Sequence, residues 1–347
     1  MAMISRVPFQ LSGRYAERSK WEVINGPGDS RPTGLQIIED EGLVEAMNDK
    51  VVLITGVSSG IGPETVRAMV STGATVFATA RNLDKAREAL GSTLLGTGRV
   101  HLLFMDQTDL SSVRACAAEF RLQSGDKLNI LINNAGVMKT PESRTKDGFE
   151  LQFGTNHLSH FLLFYLLKDL QLASSTPTFH SRVVNVSSSG HRYGPVRFDN
   201  LNSEGDYNGW AAYGQSKTSN IYNYKIVATQ IERLYGARGL HGYSLNPGSF
   251  VSPNLQKFCE EEMEAAKGNE RMAKYFVNLE QGCATSIYAA LSKDLEGRGG
   301  LYLEGASVSG PAPADGDVVE YGYGEWAFDH EKEERLWEIS KKLVGVE

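Results

Sequence analysis

The sequence predicts a single doubly wound α/β domain, with a seven-stranded parallel sheet flanked by helices. Three observations predict it. Short β-branched and apolar runs, suited to strands buried on both faces, recur along the chain with helical patterns between them. Residues 50–70, KVVLITGVSSGIGPETVRAMV, join one such run to a helix through a glycine turn. The 347 residues are 41% hydrophobic, the composition of a globular chain with a full core. A doubly wound domain reaches roughly 250 residues as one unit, so this length forces no second core.

Residues 1–48 precede the first strand. They are rich in polar and turn residues and read as an N-terminal extension, flexible or wrapped over the surface. Within them, residues 34–47 suit a short amphipathic helix with Leu35, Ile38, Leu43 and Met47 as apolar points. The main domain is read over residues 49–308. Its first strand, Val51-Val52-Leu53-Ile54, runs through Thr55 and Gly56 into Val57-Ser58-Ser59 and then Gly60-Ile61-Gly62. From Pro63 the pattern is helical, with Val66, Met69 and Val70 on one face. Pro63 suits a first helical turn because its missing N–H would be an orphan donor there. Strand, glycine turn and helix N-terminus together make a pyrophosphate site. Free N–H groups and the positive end of the helix dipole face the anion, and glycines let it approach closely. An ordinary strand-to-helix turn would share the glycines; the buried strand before them and the helix after them favour a nucleotide. The candidate contacts are Gly56, Ser58, Ser59, Gly60, Ile61 and Gly62.

The second strand, residues 74–80, ends at Arg81. In an open parallel sheet this end lies beside the adenosine ribose, about 20 residues beyond the glycines. An acid there would select NAD. Ala80 and Arg81 would instead meet a 2′-phosphate with a cation, which favours NADP(H) over NAD(H); a surface arginine opening a loop is the plainer reading. The third strand, residues 100–105, ends at Asp106, which also suits a helix N-cap or turn. After a helix over 111–123, a fourth strand over 128–132 closes in Asn133-Asn134-Ala135-Gly136. Small residues there let backbone lie against a ribose, and the asparagine amides can tie neighbouring strands together.

Residues 149–170 form a long apolar helix with Asn156 inside it, a residue intrinsically poor at mid-helix. His157 and His160 read as packing residues. A fifth strand over 182–189 presents Ser187, Ser188 and Ser189 at its end. A polar, aromatic excursion over 190–212 leads to Tyr213 and Lys217, an i, i+4 pair on one face of a helix running to about Tyr235. Alone, that pair is common and means a solvated face. The sixth strand, 242–246, ends in Pro247-Gly248, with Ser252 beyond it. Residues 253–280 are charged, helical and read as a substrate lid. An amphipathic helix over 281–291 and a seventh strand over 300–303 complete the domain. Residues 309–347 form a Gly/Pro-rich loop and a terminal helix, with Asp329 as N-cap, Gly345 as stop, and Leu336, Ile339 and Leu343 as its packing stripe.

Composition excludes several classes. A formal charge of −7 argues against nucleic acid or an anionic membrane as a partner. Three cysteines without Cys-x-x-Cys spacing or paired histidines predict neither a disulfide framework nor a metal site. No run approaches the roughly 18 apolar residues of a membrane span. No signal-peptide pattern opens the sequence, so a cytoplasmic protein is expected.

Taken in order, Thr55-Gly56-x-x-x-Gly60-Ile61-Gly62, Asn133-Asn134-Ala135-Gly136, Asn156, the serine-ended strand and Tyr213-x-x-x-Lys217 resemble the short-chain dehydrogenase/reductase family, with its Rossmann-type fold. The resemblance covers residues 49–308. The ATARN strand end, RVVNVSSSGH and the terminal ERLWEISKKLVG are similar to the retinol-dehydrogenase-like branch, and GDSRPTGLQI to its fungal members. Members of that branch often carry a membrane anchor at the N-terminus; residues 1–48 show none. The resemblance implies a catalytic tetrad of Asn156, Ser188, Tyr213 and Lys217. Asn156, at a slight kink, would hold a relay water, and Ser188 would bond the substrate oxygen. Tyr213 would be the acid/base, its pKa lowered by Lys217, which would also hold the nicotinamide ribose. The resemblance further implies Asp106 against the adenine, Asn134, Ala135 and Gly136 against the ribose, and Pro247, Gly248 and Ser252 near the carboxamide, with Pro253 departing from the usual continuation. The activity implied is NADP(H)-dependent interconversion of a ketone or aldehyde and an alcohol. A retinoid and a fungal secondary metabolite are alternative substrates, and His191, Tyr193, Tyr207 and Trp210 line the substrate or simply pack. A non-redox epimerase retaining its cofactor, and a catalytically silent NADP(H)-binding regulator, are the competing readings. Relatives commonly dimerise through the two long helices, so a homodimer or homotetramer is expected.

Overall fold

Val51–Thr55 forms β1, and every residue of it is buried. Val52 and Ile54 point into one core layer, Val51 and Leu53 into the other, the two-sided burial of a central parallel strand. The computed structural model describes residues 11–313 and 320–347, so residues 1–10 of the expected extension and 314–319 of the expected loop lie outside the described residues. Before β1 comes a seven-residue helix, α1 (Gly34–Asp40). After it follow α2 (Ile61–Ser71), β2 (Thr75–Ala80), α3 (Leu83–Leu95), β3 (Val100–Phe104), α4 (Leu110–Ser124) and β4 (Ile130–Asn133). Then α5 (Leu151–Phe153) passes through a π-helical turn (Gly154–Leu158) into α6 (Ser159–Ser174), followed by β5 (Ser181–Val186), α7 (Gly209–Tyr235) and β6 (Leu240–Asn246). Four short helices cover the cleft side: α8 (Pro253–Gln256), α9 (Glu260–Gly268), α10 (Glu270–Ala273) and α11 (Leu279–Gly282). The chain closes with α12 (Ala284–Leu291), β7 (Leu301–Glu304), β8 (Ser307–Val308) and α13 (His330–Val344).

The sheet order is β3-β2-β1-β4-β5-β6-β7-β8. The first seven strands pair in parallel. The eighth, two residues long, is antiparallel to β7 and also bridges Ser12 of the N-terminal segment. A strand so short carries no periodic signal, which is why the sequence predicts seven. Strand order reverses between β1 and β4, the switch point at which a crevice opens beyond the strand ends.

Besides α1, which ends at Asp40 and leaves Leu43 and Met47 outside it, three elements differ from expectation. The 281–291 helix begins as α12 at Ala284, and all eight of its residues are buried rather than amphipathic. α1 closes its outer face: a Cβ on Gly34 would stand 2.6 Å from Cys283 Sγ and 3.3 Å from Ala68 Cβ. On α13, Asp329 caps by accepting from Lys332 N, and Gly345 ends the helix in the left-handed region, but the buried seam is Glu333, Leu336, Trp337, Ser340 and Val344. Ile339 and Leu343 flank it, half-buried. Trp337 turns the seam, packing edge-on against Phe161 at 5.0 Å. The expected 149–170 helix begins only at Leu151, and at Asn156, where the resemblance implies a slight kink, it passes through a π-turn. Among the described residues, no helix is long and apolar enough to cross a membrane.

Candidate active site

The ends of β1 and β4 meet backbone to backbone. A Cβ on Gly56 would lie 2.6 Å from Ala135 Cα, and one on Gly62 would lie 2.2 Å from the Gly56 carbonyl oxygen. Gly60, with φ at 65°, occupies the N-cap of α2 and offers no side-chain acceptor, so the first N–H groups of α2 stay available at the cleft. Asn134 Nδ2 donates to the carbonyls of Thr55 (2.9 Å) and Gly56 (3.1 Å), and Asn133 Nδ2 donates to Asn185 Oδ1. The asparagine pair thereby ties β4 to β1 and to β5.

Thr55 has a part that pattern reading misses. Its Oγ1 accepts from the N–H groups of Asn134 and Ala135, each at 3.0 Å, and stands 2.9 Å from His160 Nε2. His160 Nδ1 in turn lies 3.0 Å from the Asn156 carbonyl oxygen. Burial pulls the His160 pKa down to about 4, so the ring is neutral at physiological pH. These partners require Nδ1–H to donate to Asn156 and Nε2 to accept from Thr55. The histidine is a packing residue that also joins the glycine-turn strand to the π-turn.

The π-turn aims Asn156 inward, fully buried. Its Oδ1 accepts from Val137 N at 2.9 Å, and its Nδ2 donates to Val137 O (3.0 Å) and Ser216 Oγ (2.9 Å). The amide therefore braces the segment after Gly136 against α7; a Cβ on Gly136 would fall 3.2 Å from Asn156 Oδ1 and 3.4 Å from Lys217 Nζ. Lys217 Nζ donates to the Val186 carbonyl at 2.9 Å and lies 5.7 Å from the Tyr213 ring centroid. Ser188 caps the short 3-10 turn Ser189–Tyr193 by accepting from Gly190 N at 3.0 Å. Gly190 lies against the Tyr213 ring, where a Cβ would meet Cε1 at 2.6 Å.

Burial governs the protonation of the pair. It raises the Tyr213 hydroxyl above its ordinary value, offset in part by the hydrogen bond with Ser188, and it pushes the Lys217 ammonium down to about 7. The expectation that Lys217 lowers the tyrosine's pKa is not met. The ammonium is directed at Val186, and desolvation opposes the charged form of both groups.

Ser188, Tyr213 and Lys217 line a cleft of about 820 Å³, whereas Asn156 lies behind its wall, fully buried, with both amide atoms taken by Val137 and Ser216. All the expected contacts but Gly62 line it directly: Gly56, Ser58, Ser59, Gly60 and Ile61 at the turn, Arg81 and Asp106 at one end, Asn134, Ala135 and Gly136 along the floor, and Pro247, Gly248 and Ser252 opposite. Gly62 sits just beneath, its hydrogen in contact with the Gly56 carbonyl. Ser252 Oγ approaches the glycine turn, 3.2 Å from where a Cβ on Gly60 would stand, and Pro253 occupies the first turn of α8 directly after it. Asp106 makes a turn, accepting from Thr108 N (3.0 Å) and Thr108 Oγ1 (2.8 Å), while Asp109 caps α4. Arg81 is exposed at the lip, joined by Lys85 from the first turn of α3, a second cation that the strand-end rule does not reach. The nearby Asp84 pairs with Arg87 at 2.8 Å.

The aromatic excursion divides evenly. Tyr193 and Trp210 line the cleft, their rings 5.1 Å apart, and Trp210 stands edge-on to Tyr213 at 6.2 Å. His191 and Tyr207 pack. His191 accepts from Gly324 N at 2.9 Å, and the Tyr207 hydroxyl donates to Thr140 O at 2.7 Å. Met138 and Cys259 are buried against Tyr213, with Leu255 and Met263 packed beside them, and Lys139 pairs with Glu262 to pin α9 over this end. Among the described residues, no cluster of histidine, cysteine or acids could hold a metal.

The residues present fit a dinucleotide: a switch-point crevice, a glycine cradle that a Cβ would fill, and cations just beyond the end of β2. That combination defines a dinucleotide-binding α/β enzyme. Residues 50–219 match the family model described as short chain dehydrogenase. The chain is 46% identical over 323 residues, 93% of each chain, to the short-chain dehydrogenase/reductase prx1 of Penicillium roqueforti. It is 37% identical to mouse retinol dehydrogenase 12 over 86% of this chain and 87% of that one. A crystal structure of an uncharacterized Mycobacterium paratuberculosis protein superposes with a TM-score of 0.64 at 29% identity, covering 86% of this chain and 94% of that one. The chain belongs to the short-chain dehydrogenase/reductase family, in its retinol-dehydrogenase-like branch. It is an oxidoreductase of a family that binds nicotinamide cofactors.

Proposed function

We propose that this enzyme interconverts a ketone or aldehyde and an alcohol with NADP(H), on a bulky and partly apolar molecule such as a fungal secondary metabolite. The observation that carries the reading is the convergence of Ser188, Tyr213 and Lys217 on one end of a cleft whose far end presents Arg81 and Lys85. When bound, the nicotinamide supplies or accepts the hydride. Tyr213 Oη moves the proton to or from the substrate oxygen, and Ser188 Oγ donates a hydrogen bond to that oxygen as charge develops on it. Lys217 Nζ, held by the Val186 carbonyl, stands ready for the ribose hydroxyls. Asn156 acts as a positioning residue, keeping Val137 and the floor of the cleft in place. Arg81 and Lys85 would face the 2′-phosphate. Tyr193, Trp210 and Met263 would give a broad apolar wall to the substrate.

Fluorescence titration with NADPH and with NADH tests the cofactor. NADPH should bind at least about tenfold more tightly, and Arg81→Gln should narrow that gap. Equal or reversed preference would remove Arg81 as phosphate reader. Tyr213→Phe should keep NADPH affinity while losing turnover of 9,10-phenanthrenequinone by about a hundredfold or more; retained turnover would remove Tyr213 from the chemistry.

A further inference from the structure

Arg31 belongs to the segment ahead of the first strand, yet its side chain is buried within the lid base. Nη1 donates to the Tyr275 carbonyl at 3.1 Å. Nη2 donates to Phe276 O at 2.6 Å, Lys274 O at 3.1 Å and Gly26 O at 3.3 Å. Nε donates to Asp29 Oδ1 at 2.9 Å, and Asp29 completes a buried ion pair at 2.8 Å. One planar guanidinium thus gathers three consecutive carbonyls just beyond α10, a task its rigid fork suits and a lysine could not share.

Those carbonyls belong to the lid's attachment to the cleft. Phe276 lines the cleft and forms a parallel bridge with Ser249, and Val277 N donates to Ser249 O at 2.7 Å. Ser249 directly follows Pro247-Gly248. The same N-terminal turn reaches the opposite wall through Gln281, which accepts from Gly28 N at 2.8 Å and donates to Arg31 O at 3.0 Å. Gly282, next along, lies against Ile61 at the start of α2, where a Cβ would be 2.7 Å from Ile61 Cγ2.

We propose that Arg31 is a positioning residue for the substrate side of the cleft: the N-terminal segment uses it to clamp residues 274–276, and so sets where the lid stands relative to the 247–249 loop. The substrate-side claim rests on the oxidoreductase reading above; the clamp itself does not.

The test is Arg31→Met in the full chain, read two ways. Hydrogen exchange should rise about tenfold across residues 270–277 while β1 and β4 stay protected. In kinetics with 9,10-phenanthrenequinone, KM should rise about tenfold with kcat and the NADPH affinity within about twofold. Unchanged exchange at 270–277 overturns the clamp. Exchange that rises through the whole chain with KM unaltered overturns the positioning role, leaving a merely stabilising arginine. Asp29→Asn, which keeps the carbonyl bonds but loosens the guanidinium, decides by the same readouts if Arg31→Met does not fold. If the parent enzyme does not reduce the quinone, it is the oxidoreductase reading that fails, and the exchange pattern alone supports or overturns the clamp.

Discussion

Tyr213 and Lys217 share one face of α7, and burial works against the charged form of each. The consequence for Lys217 can be read in stability. An unfolded lysine titrates near about 10.4, whereas in the fold this one titrates at about 7. Below pH 7 the ammonium is charged in both states, so the fold bears the full cost of desolvating it. From pH 7 towards 10 the folded chain releases the proton that the unfolded chain keeps, and the group's contribution grows more favourable as pH rises. Lys217→Met removes this dependence. Its melting temperature relative to the parent should be highest at about pH 6 and fall back by roughly 3 °C by about pH 9. A difference that stays constant with pH would assign the effect to packing instead. The i, i+4 pairing of Tyr213 and Lys217 was legible because the helix period dictates it. The direction of Lys217's hydrogen bond was not, because it depends on where β5 presents the Val186 carbonyl.

Helix α1 shows how an element's sequence pattern can mislead about its role. Ile37 and Ile38 are fully buried while Leu35 is 43% exposed, so the apolar face is narrower than the run of aliphatic residues suggests. That face covers α12, which explains why a short helix of small and apolar residues can be buried all round. Ile38→Ala should destabilise the protein by about 2–5 kcal/mol in urea unfolding, as a central core position does. Leu35→Ala, on the same helix, should stay within about 0.5 kcal/mol. Equal effects would mean that α1 is not seated on α12 as described. The π-turn is another case. Nothing in the periodicity of residues 149–170 marks it, since it depends on Asn156 finding Val137 and Ser216, and on His157 reaching Ser340 Oγ of α13 at 2.9 Å.

At the level of the whole molecule, the described segments before β1 and after β8 both close on the sheet. The N-terminal segment extends the sheet edge at Ser12 and grips the lid base. On the opposite side, α13 lies across α6 and α7, with Trp337 against Phe161 and Phe164. That is part of the helical face through which self-association was expected, and here the chain's own terminus covers it. Light scattering after size exclusion should therefore report a single copy, 38.0 kDa. A mass of two or four copies would place the contact on a different face.

The sequence by itself determined the parallel sheet, the glycine turn, the asparagine motif and the Tyr213–Lys217 pair, because each follows from local periodicity or from contacts a few residues apart. Tertiary structure alone decided the eighth strand, the burial of α12, the seam of α13, Thr55 as acceptor for two N–H groups, and Arg31 within the lid. The eighth strand is too short to carry a periodic signal; in each of the others a residue meets a partner far away in the chain, as Arg31 meets Phe276. Burial there reverses or outweighs the local preference, and no local pattern records which distant carbonyl a side chain will find.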